Sequence, residues 1–199
     1  MELIKYVNSG SIRSLRPVLE EWVRVVAKYL DFDNGDNPWW YNERTSLSFL
    51  AAAAWGKNGI ALEEYCTEKG KKDNAYSGRC DLFLGVGSQC FGCEAKQAWC
   101  AIGTPARKGT MEAEARLKDA CADARTLARA EGRRLGLCFA VPYLPERHKD
   151  QIEKLLTAWL REIQNLNYNC IAWTFPRLSR YHTHEGQLYP GLVLLAKEP

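Results

Sequence analysis

The chain lacks what a membrane or secreted protein would show. Its first residues, MELIKYVNSGSIRS, contain no apolar stretch of the secretion-signal kind, and no apolar run is long enough to span a bilayer. The expectation is a cytoplasmic protein without membrane contact, its eight cysteines held as reduced thiols. An excess of one charge is also missing. The 27 Lys and Arg against 24 Asp and Glu leave a net charge of +3, which permits a polyanionic partner without demanding one. Internal repeats, low-complexity tracts and composition breaks are absent too, so a single domain over residues 1–199 is expected. Cys90 and Cys93 form a lone CxxC with no second pair to complete a four-thiolate site. On a regular strand the two would face opposite ways. Buried thiols are the plainer expectation.

What is present is a succession of helical and strand patterns. Leu19, Trp22, Val26 and Tyr29 recur at helical spacing within 17–30, behind Pro17. A second helix is predicted over 43–55, ended by Gly56 and Gly59. Strands follow at about 60–68, 79–84 and 90–97, the last two joined by GVGS. The segment CAIGTPARKG reads as a loop before a helix near 111–131. In that helix Leu117, Ala120, Cys121, Ala124, Leu127 and Ala128 make the apolar stripe, with Arg116, Asp123, Arg125 and Arg129 elsewhere. A strand at 135–144, a helix at 146–164 and strands at 169–175 and 191–196 complete the pattern. The expected fold is α/β (α+β), a central mixed sheet flanked by helices.

Alternation places chemistry on this frame. Glu94 and Lys96 share one strand face, and Arg79, Asp81 and Phe83 share one face of the strand before it. A hairpin through GVGS lets Asp81 join Glu94 and Lys96. Two carboxylates held together repel unless a cation joins them. Mg²⁺ or Mn²⁺ suits oxygen ligands and can activate water against a phosphodiester. A nearby lysine could orient that water, deprotonate it or neutralise developing charge. The plain alternative is a solvated ion pair on a sheet edge.

Gly78-Arg79-Cys80-Asp81 followed by Glu94-Ala95-Lys96 resembles the PD-(D/E)xK nuclease superfamily, with its restriction-endonuclease-like fold. The resemblance covers about residues 43–141. It implies an αβββαβ core, here with an extra N-terminal helix and a C-terminal helix and strands. It implies a metal-dependent nuclease acting on DNA, with Asp81 and Glu94 as metal ligands and the Ala95 carbonyl as a further one. Lys96 would be the catalytic lysine, and Glu43 matches a glutamate that many members carry on the preceding helix. Cys80 stands where the name-giving proline would be. A Gln-xxx-Tyr pattern is missing from the helix at 111–131, which argues against the RecB-like branch.

Other residues have weaker claims. Glu63 and Glu64 are rivals for a third acid, and Gln97 is a supporting candidate. Trp39, Trp40 and Tyr41 could stack on bases or anchor a helix. His182 and His184 could bind a metal or sit in a solvated loop. Arg79 and two loop clusters, Lys69 with Lys71 and Lys72 and Arg107 with Lys108, are candidate nucleic-acid contacts or solvated turns. The alternatives to a nuclease are a catalytically inactive nucleic-acid-binding module and a protein-interaction module of the same fold. A homodimer is an admissible assembly for each.

Overall fold

A computed structural model describes residues 5–32, 36–70, 74–103, 106–128, 132–177 and 183–199. Lys71, Lys72 and His182, and the side chain of Arg107, lie outside the described residues.

The sheet follows from the strand patterns. Strand β1 (Lys5–Asn8) precedes helix α1 (Arg16–Phe32) and helix α2 (Glu43–Gly56). Strands β2 (Ile60–Lys69), β3 (Tyr76–Val86) and β4 (Gln89–Ala101) then run as an antiparallel meander. Helix α3 (Ala106–Ala124) crosses over to β5 (Arg133–Pro145), which lies parallel to β4. A 3-10 turn at Glu146–Gln151 leads into α4 (Ile152–Ile163). Strand β6 (Cys170–Thr174), the ribbon β7 (Thr183–His184) with β8 (Gln187–Leu188), and β9 (Leu192–Lys197) complete the chain. The order across the sheet is β1-β6-β9-β5-β4-β3-β2. It is an open mixed sheet with helices on both faces.

Alternation divides the core in two. Leu135, Leu137, Phe139 and Val141 of β5 pack into the cluster that contains α1 and α2. Cys138 and Ala140 pack into the other, with Leu117 of α3 and Leu156, Trp159 and Leu160 of α4. On β4, Phe91, Cys93 and Ala95 belong to the first cluster, and Ala98 and Cys100 to the second. Glu94 and Lys96 therefore project from β4 toward the α3 layer.

Helix α3 starts earlier and ends sooner than the sequence predicts. Its first turns take in Arg107, Lys108 and Gly109, which read as loop. A Cβ at Gly109 would lie 2.7 Å from the Ala101 carbonyl oxygen, so glycine is what lets this turn pack on the end of β4. The helix stops at Ala124. Leu127 is buried outside it and bridges to Lys69. The first turn expected of α4 is the 3-10 segment, and β1 and the β7–β8 ribbon are too short for a pattern to reveal. No described helix is long and apolar enough to cross a membrane.

Candidate active site

Strands β3 and β4 form a fork. Their turn, Gly87-Ser88, has Gly87 at φ +60°, as a tight hairpin requires. The ladder runs from Val86–Gln89 to Leu82–Cys93 and stops, although β4 continues to Ala101. One step beyond the last pair, Asp81 faces Glu94 across the opening. Beyond Cys93, side chains take over the edge of β4. The Ala95 N–H donates to Asp81 Oδ2 at 2.8 Å. The Gln97 N–H donates to the Glu43 carboxylate. Each carboxylate thus fills a place that a strand carbonyl would otherwise occupy.

Helix α2 delivers Glu43 to the fork. Asn42 caps it, accepting the Thr45 N–H at 3.0 Å, and this makes Glu43 the first helical residue. A helix start favours a carboxylate. Burial first, and then the charge of Asp81, nevertheless raise the Glu43 pKa. Glu94 is shifted further. It is 3% exposed, and burial raises its pKa to about 7. The adjacent Lys69 opposes that rise, while Asp81 adds to it.

The two lysines at the site are each already paired. Lys96 Nζ lies 2.7 Å from Asp123 Oδ2 on α3. Burial works to lower the Lys96 pKa, but Asp123, Glu43 and Asp81 together raise it. The residue is an ammonium, not a base. Lys69 Nζ lies 2.7 Å from Glu94 Oε1, and both side chains are largely buried. At that distance the ammonium is a direct partner of the Glu94 carboxylate and works to hold its pKa down. The expectation that Lys69 is a loop residue facing phosphate is overturned: it ends β2 and turns inward.

The rim is basic and strained. Glu64 stands opposite Asp81 at the position missing from the β2–β3 ladder, with φ +53°. Glutamate seldom adopts that conformation. Its carboxylate is engaged by Arg44 at 3.2 Å and Arg79 at 3.5 Å. Glu63 instead accepts a hydrogen bond from Ser48 Oγ at 3.1 Å. Neither rival acid is free for the fork. Arg79 and Lys108 are exposed, but Lys108 lies on α3 and not in a loop.

The remaining candidates separate. Gln97 Nε2 donates to the Trp39 carbonyl at 3.3 Å, fixing the loop that precedes α2. Trp39 is buried and donates its indole N–H to the Tyr189 carbonyl at 3.1 Å, so base stacking falls away for it. Trp40 packs on His184, with ring centroids 3.5 Å apart. Cys90 is exposed and Cys93 buried, as opposite strand faces require. Asp123 and Lys69 are the residues that sequence reasoning left outside the site. Asp123 was visible as a charge off the apolar stripe of its helix. For Lys69 the sequence holds no signal.

For a divalent metal the donors fit in kind. Asp81 and Glu94 are hard oxygen ligands, and Glu94 Oε1 is a buried oxygen that already faces a cation, the Lys69 ammonium. The Ala95 carbonyl points the same way as its N–H, toward Asp81. Among the described residues, no three His, Cys, Asp or Glu side chains are grouped to hold a metal. Mg²⁺ does not need three, because it is commonly held by one or two carboxylates with water and phosphate oxygens.

Comparison with protein-family models, with curated proteins and with solved structures gives no match.

Proposed function

We propose that the chain is a metal-dependent nuclease of restriction-endonuclease-like fold that hydrolyses phosphodiester bonds in DNA. The observation that carries this reading is the fork. Asp81, Glu94, Lys96 and Glu43, from two strands and a helix, surround the opening where β3 leaves β4, near enough to couple electrostatically. The run α2-β2-β3-β4-α3-β5 supports it, being the order that the superfamily resemblance implies.

The roles follow from the chemistry of each group. Asp81 and Glu94 would hold Mg²⁺ or Mn²⁺, with the Ala95 carbonyl beside them. The metal, when bound, supplies water activation and charge neutralisation at the phosphate. Lys96 carries a proton, so it donates hydrogen bonds to a phosphate oxygen or the attacking water and offsets negative charge. Asp123 positions it. Glu43 fixes the Gln97 segment and faces the same opening. Arg79 and Lys108 contact backbone phosphates at the rim, binding without reading sequence.

One observation favours the second reading, a non-cleaving module of the same fold. Glu94 and Lys96 already have internal counter-charges in Lys69 and Asp123. The deciding experiment incubates the protein with Mg²⁺ or Mn²⁺ and linear, circular, branched and single-stranded DNA and RNA. Metal-dependent cutting by the parent chain, lost in both Asp81→Asn and Lys96→Ala, is the expected result. Cutting that survives both substitutions removes the assignment, and binding without cutting favours the second reading.

A further inference from the structure

We infer that Lys69 is an internal cation standing in for a divalent metal at Glu94, so that metal loading is an exchange in which the ammonium leaves the carboxylate. This rests on the metal-dependent reading above and states how its site is charged before metal arrives.

Four observations converge on it. First, the contact is desolvated. The Lys69 and Glu94 side chains are 13% and 4% exposed, with Nζ and Oε1 2.7 Å apart. An attraction of this kind is strong where water is excluded.

Second, the ammonium is aimed by the backbone and is no stray surface group. Lys69 pairs with Tyr76 on β3 and bridges to Leu127, beyond the end of α3. Its neighbours tie down the same place. The Gly70 N–H donates to the Thr126 carbonyl at 2.7 Å, and the Ala128 N–H to the Glu68 carbonyl at 3.1 Å.

Third, space has been left for the lysine stem. A Cβ on Gly78 would stand 2.8 Å from Lys69 Cδ and 3.1 Å from Cγ. Glycine at 78, three residues before Asp81, gives the stem its passage.

Fourth, the ammonium leaves the site short of positive charge. One positive charge stands against two carboxylates, Asp81 and Glu94, that face each other across the fork. The other nearby ammonium, Lys96, is committed to Asp123. A divalent cation brings a second positive charge and takes carboxylate oxygens as its preferred ligands. It competes for Glu94 from the first moment of binding, and only one of the two cations can hold that oxygen.

The test reads the lysine itself. The full-length protein is acetylated briefly with acetic anhydride, with and without saturating Mn²⁺, and modification is quantified by mass spectrometry. Lys69 acetylation is expected to rise at least threefold with Mn²⁺. Lys57, on the distant Glu21 pair, serves as the unchanged reference. In Asp81→Asn the Mn²⁺ effect on Lys69 is expected to disappear. Mn²⁺ titration by electron paramagnetic resonance is expected to show at least tenfold tighter binding to Lys69→Met than to the parent chain. Should Lys69→Met fail to fold, the acetylation experiment stands alone on the parent chain. Lys69 reactivity that does not respond to bound Mn²⁺, Lys69→Met binding no tighter than the parent, or no Mn²⁺ binding at all would each overturn the inference. The two readings fail separately. DNA cutting lost in Asp81→Asn while Lys69 ignores Mn²⁺ keeps the nuclease and removes the exchange. Lys69 that responds to Mn²⁺ in a chain that cuts nothing does the reverse.

Discussion

Glu94 sets the electrostatics of the fork, and its protonation has a consequence for stability. Its pKa in the fold is about 7, above the ordinary value of 4.5, with burial the main cause. Between those values the folded chain binds more protons than the unfolded chain. Folding stability therefore falls as pH rises through that window, by at most about 3 kcal/mol. Glu94→Gln cannot take part. The stability of the parent relative to Glu94→Gln, from urea melts without metal, should decline between pH 5 and pH 8. A constant difference would show that the fold does not raise the Glu94 pKa. Legibility at this scale was uneven. Strand alternation was enough to place Glu94, Lys96 and Asp81 on one face. It could not find Lys69, because the inward turn of that side chain depends on a bare Gly78 and on a strand end clamped to a distant turn.

Elements were legible where their patterns are long, and missed where packing overrides local preference. The sequence reads CAIGTPARKG as loop because proline and glycine punctuate it. The fold instead begins α3 at Ala106 and uses Gly109 to bring that helix against β4. A second close approach fixes the other half of the same helix. A Cβ on Gly136, the residue paired with Glu94 in β5, would lie 2.5 Å from the Cys121 backbone nitrogen and 2.7 Å from its sulfur. The contact is backbone against backbone, so a methyl group has nowhere to go. Gly136→Ala should lower stability by about 1–3 kcal/mol, read as a lower urea midpoint at unchanged m-value. Two residues along α3 from Cys121 is Asp123, the partner of Lys96. If the chain cuts DNA as proposed, cleavage should fall in Gly136→Ala even under conditions where the chain is fully folded. Full activity there would show that the position of α3 does not govern Lys96.

At the scale of the whole molecule, a net charge of +3 is too small to attract a polyanion by itself. On the proposed reading, DNA binding would rest on the local rim, where the Arg79 side chain is 67% exposed, with Lys108 also at the surface. For a labelled duplex in the presence of EDTA, Arg79→Ala should reduce the slope of log Kobs against log salt by about 1. Sequence preference should not change, and an unchanged slope would take Arg79 off the phosphate path. The fork has one more consequence, and it concerns assembly. Asp81 sits on a hairpin that meets β4 through five residue pairs, whereas β4 is joined to β5 from Phe91 to Ala101. A local opening of the fork beyond Cys93 would leave the β4–β5 ladder intact. The Ala95 and Gln97 amides are held on that side by carboxylates alone, so their hydrogen exchange should run ahead of the neighbouring Cys93 amide. Those two amides amount to a gauge built into the backbone, reporting whether the halves of the site are together at a given moment.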